Sequence, residues 1–368
     1  MVIGLVLAPI ALIVVSLVLA DGRSFDFHAF WQAGGDVLSG RSPYPTLDAL
    51  PHVADRMTFR PFVYPAPAAF LMAPFAVLPF WLANVLFAFA TLASVAGALR
   101  ILGVRDWRCY GAAFVFGPAL AAVGLGTVSP FILLAVAALW RYRTTWYKAG
   151  PLLAFLLVVK LFLWPLAAWL LATRRYGATL AAAALTLVST LAAWAAIGFV
   201  GFREYPALLD RLIGLVGPNS FSSYALALAL GAPAGATELA LKGLSVVAFC
   251  ALVWAGRRRL DARQAFLACL AAALLLTPIL WPHYLVLVFV PVALVSPGFS
   301  GLWLAPSLIS LAGSWSYGNP FRIVPMLAFT LYVFARALSA PGEEGRPAPS
   351  SGTGLDRSSL RRVIRRQR

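Results

Sequence analysis

Long apolar runs recur along this chain, and short clusters of arginine and lysine interrupt them. The clusters are Arg105 with Arg108, Arg141 with Arg143 and Lys148, Arg174 with Arg175, and Arg257 to Arg259. A soluble domain carries about 25% charged residues. Here 11% of 368 residues are charged and 61% are hydrophobic, so a water-facing surface cannot be built from them. The apolar residues must instead meet lipid, and at about 20 residues per span the chain has room for about a dozen. Basic clusters between spans are what the positive-inside rule places in cytoplasmic loops. The net charge of +16 therefore does not point to nucleic acid, which needs one contiguous basic face.

With the arginine side taken as cytoplasmic, spans read at residues 2–20, 80–99, 109–125, 131–140, 149–160, 161–172, 177–200, 239–255, 265–277, 281–295, 302–311 and 325–338. The expectation is an all-α polytopic protein of the cell membrane with about 12 transmembrane helices. Both termini are expected in the cytoplasm. Long extracytoplasmic loops fall at 21–65 and 201–235, the second with a weakly apolar helix around 224–230. Several spans are short for a bilayer, which suggests broken or re-entrant elements lining a cavity. Residues 1–339 read as the membrane domain, and 340–368, rich in Pro, Gly, Ser and Arg, as a disordered basic cytoplasmic tail. The first run lacks a basic leader, which favours an uncleaved helix over a signal peptide. Cys109, Cys250 and Cys269 lie far apart without metal spacing and read as packing residues. No internal repeat is visible, which counts against a secondary transporter.

The acidic residues fall mostly in the two outer loops, which function or plain solvation would explain equally. The first outer loop carries the densest polar information: Asp26-Phe27-His28-Ala29-Phe30-Trp31, then Gly40-Arg41-Ser42-Pro43-Tyr44, then Tyr64-Pro65-Ala66-Pro67. An aspartate among aromatics just beyond a span sits at a low-dielectric boundary, which suits a general base. A helix cap or an interfacial polar residue explains it too, and local sequence alone favours that reading. Lys160 lies in an otherwise apolar stretch, 152–171. Intramembrane charges are costly and usually face a cavity or a partner, so it is a candidate phosphate ligand, against snorkelling to the interface. His283 sits in Thr277-Pro278-Ile279-Leu280-Trp281-Pro282-His283-Tyr284, where two prolines break the helices. It could donate to a phosphate or hydroxyl, or simply be a hydrogen-bonded interfacial histidine. Asn219, Ser220, Ser222 and Ser223 fit either a binding turn or a capping turn. Metal-ligand spacings, phosphate-cradling glycine loops and serine-nucleophile motifs do not occur in the sequence.

Taken in order, these segments resemble glycosyltransferase family 87. The matching pieces are Asp26-Phe27 with the Phe30-Trp31 pair, the run from Gly40 to Tyr44, Tyr64-Pro65-Ala66-Pro67 with Leu78-Pro79, and Gly126 to Pro130. Lys160 with Trp164-Pro165, the Asn219-Ser220 turn, and Pro278 to His283 follow. The sequence departs from the family at Thr127, where glutamine is common, at Ala66, which splits a double proline, and at Tyr284, where a second histidine is common. The resemblance implies the C-type glycosyltransferase fold and a polyprenyl-phosphate sugar donor, most often carrying mannose. The acceptor would be a glycolipid or glycan on the extracytoplasmic face, with no cofactor and no metal. Asp26 would act as the base of an inverting transfer, with Lys160 and His283 on the donor phosphate. Trp31, Tyr44, Tyr64 and Asn219 would contact substrate. The rival readings are an arabinosyltransferase on the same scaffold, a transporter of lipid or solute, and a non-catalytic assembly subunit.

Overall fold

Among the described residues the only regular structure is helical, the form that satisfies every backbone N–H and C=O within the segment itself. The computed structural model describes residues 24–49, 61–115, 118–306 and 315–340. The expected first span, half of the one at 302–311, and all but the first residue of the basic tail lie outside these residues.

Helix α1 (Phe25–Leu38) and α2 (Ala66–Ala76) precede the long α3 (Phe80–Ile101). The short α4 (Trp107–Val115), α5 (Pro118–Leu125) and α6 (Ser129–Arg141) follow. Next come α7 (Trp146–Val159), α8 (Pro165–Ala172) and α9 (Tyr176–Ala196). Then α10 (Tyr205–Val216), α11 (Ser223–Ala229), α12 (Ala234–Arg258) and α13 (Ala262–Leu275) run in order. A 3₁₀ stretch, Pro282–Val288, leads into α14 (Phe289–Val295), and α15 (Gly301–Leu304) and α16 (Pro320–Ser339) end the described chain. The two segments read as outer loops are thus partly helical. Their helices are short and amphipathic, below the length at which hydropathy alone marks a span.

Among the described residues, length and composition mark four helices as spans (α3, α9, α12 and α16), or up to six if each sharply bent pair counts as one. The sequence suggests about twelve. Apart from the expected spans outside the described residues, the difference lies in helices of 10–17 residues, α6, α7 and α13 among them, too short to cross alone. They are sheltered instead: α6 buries nearly its whole length from Ser129 to Trp140.

Small residues allow these helices to approach closely, the usual device where lipid offers no hydrophobic drive between helices. A Cβ on Gly150 of α7 would stand 2.6 Å from the Ala181 Cβ of α9, and one on Gly256 of α12 2.7 Å from the Ala172 Cβ of α8. On α1, a Cβ at Gly34 would lie 2.9 Å from the Met72 backbone of α2.

Packing collects the helix ends into two regions. At one, the basic clusters meet: Arg257 Nη2 donates to Tyr176 Oη (3.4 Å), and Arg263 Nη2 to the Ala337 carbonyl (3.0 Å). Trp169 Nε1 donates to the Ala262 carbonyl (2.9 Å). The Arg143 and Arg175 guanidiniums lie over Trp140 and Trp169, rings 6.1 Å apart. At the other region the two long polar segments fold onto each other. Ser42 Oγ donates to the Val200 carbonyl (3.2 Å), Tyr205 Oη to the Val63 carbonyl (3.2 Å), and Tyr44 stacks on Trp194 at 5.0 Å.

Candidate active site

Lys160 stands at the tip of a short helical hairpin. α7 leaves the arginine region and ends when Lys160 turns extended (φ −148°, ψ 110°). A 3₁₀ turn, Leu161–Leu163, then leads to Pro165, which opens α8, and α8 returns to Arg174 and Arg175. Pro165 suits the first turn because its missing N–H is unbonded there anyway. At 1.5 Å per residue, the 14 residues of α7 rise about 21 Å. A hydrocarbon layer is about 30 Å thick. The hairpin, with Lys160 at its tip, is therefore shorter than that thickness.

The ammonium is held by two tyrosines. Lys160 Nζ donates to Tyr284 Oη, and lies 4.3 Å from the ring centres of both Tyr64 and Tyr284. A cation over the face of an aromatic ring is attracted by the ring quadrupole, more strongly where water is excluded. Tyr284 is itself braced by stacking on Phe162 (5.1 Å, 7° between planes). Tyr64 is braced through its backbone: Tyr44 Oη donates to its carbonyl (2.8 Å), and the Tyr205 hydroxyl to the carbonyl of Val63. Burial pushes the Tyr44 phenol far above its ordinary pKa, with the neighbouring Tyr205 adding to it, so it stays a donor at any physiological pH.

Helix α1 brings Asp26 to this group. Its buried stripe, Asp26, Phe27, Ala29, Phe30, Ala33, Gly34 and Val37, follows helical spacing. Asp26 is 7% exposed, and shares a face with Phe30, four residues on, whose ring lies 4.6 Å from Tyr64. Gly126 fixes where the first turn of α1 sits. It has φ +68°, and a Cβ there would fall 2.5 Å from the Phe27 Cβ, so both conformation and space demand glycine. Gly126 ends α5, and α5 packs along the 3₁₀ stretch that carries His283. His283 is 3% exposed, with its ring edge-on to Tyr284 at 4.8 Å.

The turn at Asn219 holds the proline-broken segment from behind. Phe221 N donates to the Leu280 carbonyl, Ser222 Oγ to that of Pro278, and Ser223 Oγ to that of Leu275, each at 2.8 Å. Ser222 Oγ also accepts from Ala225 N, capping α11. Since the Ser222 proton is spent on Pro278, Ser220 is the donor in the 2.9 Å contact between their hydroxyls. Asn219 enters through its backbone, its carbonyl accepting from Ser316 N (3.0 Å).

The structure thus gathers Lys160, Tyr64 and His283 around Tyr284, and directs the Asp26 face of α1 toward them. Tyr44 touches the group only by holding Tyr64. Trp31 lies apart from the lysine, with Nε1 donating to the Leu78 carbonyl (3.1 Å) and its ring against Phe80. Sequence reasoning registered Tyr284 only as a departure and passed over Tyr205. The signal available for Tyr284 was its position beside His283 in a doubly proline-broken turn. Among the described residues no group of three or more His, Cys, Asp or Glu stands together as a metal site.

The model of glycosyltransferase family 87 matches residues 62–282, more than half of the chain and most of the segments just described. The chain belongs to glycosyltransferase family 87. It is a membrane glycosyltransferase, and the transporter and assembly-subunit readings give way to that. Two relatives carry the name polyprenol-phosphate-mannose-dependent alpha-(1-2)-phosphatidylinositol pentamannoside mannosyltransferase. The one from Mycolicibacterium smegmatis is 27% identical over 354 residues, covering 85% of this chain and 84% of the relative. The one from Mycobacterium tuberculosis is 28% identical over 283 residues, covering 72% of this chain and 60% of that relative. No solved structure matches.

Proposed function

We propose that this family 87 enzyme transfers mannose from a polyprenyl-phosphate donor to a glycolipid acceptor, with the chemistry at Lys160. The names of both relatives support mannose and the polyprenyl donor, and their acceptor, a phosphatidylinositol mannoside, supports a glycolipid. The observation that carries the reading is the lysine itself, held between Tyr64 and Tyr284 at the tip of a hairpin shorter than the hydrocarbon layer. A polyprenyl phosphate brings its charge to the membrane boundary on an apolar tail, where an ammonium at the tip of such a hairpin would meet it.

In the reaction Asp26 takes the proton from an acceptor hydroxyl, whose oxygen attacks the anomeric carbon from the face opposite the lipid phosphate. The bond from that carbon to the phosphate oxygen breaks, and the configuration inverts. Negative charge grows on the departing phosphate, where Lys160 and His283 stabilise it. Tyr284 keeps the ammonium aimed, and Tyr44 and Tyr205 hold the Tyr64 wall. Trp31 and Asn219 act from the periphery of the pocket. We place the site on the extracytoplasmic side, since the opposite region carries the arginine clusters, and both termini in the cytoplasm, flanking a membrane domain of residues 1–339.

The test is incubation of the purified protein with labelled polyprenyl-phosphate mannose and a membrane lipid extract. The expected result is a labelled glycolipid. Transfer of arabinose but not mannose from the corresponding donors would overturn the choice of sugar, and full activity in Asp26→Asn would overturn the assignment of the base.

A further inference from the structure

A second feature lies away from this site, in the arginine region. Leu171 of α8 and one face of α12 enclose a groove of about 440 Å³, lined by Phe249, Cys250, Val253, Trp254, Arg257 and Arg258. That volume is within the usual range of small-ligand sites. The α12 positions recur at helical spacing, so they form one continuous stripe. The stripe is ordered by chemistry: apolar from Phe249 to Val253, an indole at Trp254, and two guanidiniums at the end. The apolar window of α12 has no part buried inside the protein, so this face meets whatever fills the bilayer around it.

Among the described residues the guanidiniums at the rim have no acidic partner. Among the described residues neither Arg257 nor Arg258 forms an ion pair, and the one hydrogen bond of Arg257 goes to the neutral Tyr176 hydroxyl. Arg259, next in sequence, lies over the Trp254 ring at 5.3 Å and adds positive charge at the same level. An apolar trough ending in an interfacial tryptophan and unpaired arginines matches an amphiphile with one or two chains, a glycerol level and an anionic head. A zwitterionic lipid also offers a phosphate, but its ammonium offsets that charge, so a lipid of net negative charge matches the rim better.

We infer that this groove binds an anionic glycerophospholipid, its phosphate on Arg257 and Arg258 and an acyl chain along Phe249 to Val253. The site is separate from the transfer chemistry, and does not depend on which sugar is moved.

The test uses the full-length protein in mixed phosphatidylglycerol and phosphatidylcholine nanodiscs, with lipid retained through detergent extraction measured by native mass spectrometry. Phosphatidylglycerol should be retained over phosphatidylcholine by about tenfold. The Arg257→Gln/Arg258→Gln pair should erase that preference. Val253→Trp, which fills the trough and leaves the charge, should erase it as well. Transfer activity of the arginine variant should match the unsubstituted enzyme and shows that it folds. Equal retention of both lipids overturns the proposal. So does a Val253→Trp protein of unchanged melting temperature that keeps the preference, since the trough is then not the site. Displacement of the lipid by inorganic phosphate would make it a free-anion site, and retention of polyprenyl phosphate ahead of phosphatidylglycerol would assign the groove to the donor; either outcome overturns it.

Discussion

The two regions of this molecule handle charge in opposite ways. The arginine region holds many charges and leaves most of them exposed, with Arg175 and Arg263 half-buried against aromatic faces and carbonyls. Arg108 pairs with Asp106 at 2.8 Å with its side chain more than half exposed. Such pairs cost little to form and contribute little. The aromatic region exposes Arg41, Arg203 and Glu204 at its edge but withdraws three ionisable groups from water: Asp26 and His283 are nearly inaccessible, and Lys160 is half-buried between rings. A charge withdrawn from water is expensive unless its surroundings hold it. The tyrosine and serine hydrogen bonds that brace this region supply that support. Charge density therefore marks one region, and the burial of an acid, a base and a lysine together marks the other as the candidate site.

Substitutions can break this contrast, the largest effect first. Asp26→Asn is nearly isosteric and should leave the protein folded while lowering transfer by about 10²- to 10⁴-fold, read as initial rate with labelled donor. Lys160→Met keeps the length and apolar stem, and should lower kcat/KM by about 10²- to 10³-fold. The matching experiment at the other region, Arg143→Met, should leave transfer nearly unchanged. Tyr284→Phe keeps the stack on Phe162 but removes the acceptor for Lys160. A hydrogen bond to a charged group predicts a loss of about tenfold, carried mostly by donor KM.

Gly126→Ala tests the support of Asp26. A left-handed backbone and a Cβ driven into Phe27 should lower stability by about 2–4 kcal/mol in thermal unfolding. The smallest effect belongs to pH at the arginine region. The Arg108 side chain, with the Phe299 N–H adding to it, holds the Asp106 carboxyl below the usual carboxylate range. Because the folded pKa is depressed, its contribution is fully present above the ordinary carboxylate pKa and fades only as pH falls below it. Asp106→Asn should therefore be indistinguishable from the unsubstituted protein only in strong acid, and slightly less stable from pH 5 upward.

Much of the site was legible from residue chemistry. Lys160 stands out in any apolar window, and prolines flag the His283 turn, because charge and missing backbone donors are local properties. The choice between binding and capping at Ser220 to Ser223 was not legible. Those hydroxyls serve either purpose, and their partners at residues 275–280 lie more than fifty positions away. Tyr44 was legible as part of a motif but not as a brace for Tyr64, since its acceptor is a backbone carbonyl. Of the helices inside the two long polar segments, the one at Ser223–Ala229 was expected, while those at Phe25–Leu38 and Tyr205–Val216 were hidden. They are amphipathic and short, and their apolar faces are answered by neighbours from elsewhere in the chain.

What the sequence determined by itself was the solvent: an apolar chain this poor in charge must lie in lipid, and its arginines must collect at the ends of its apolar runs. Those are sums over residues and need no fold. What only the tertiary structure decided was the company of Lys160. Tyr64 and Tyr284 come from segments roughly a hundred residues to either side, and meet the ammonium because α7 stops short and small residues let α9 and α1 close in. Local sequence specifies a costly charge; only packing specifies which rings make it bearable.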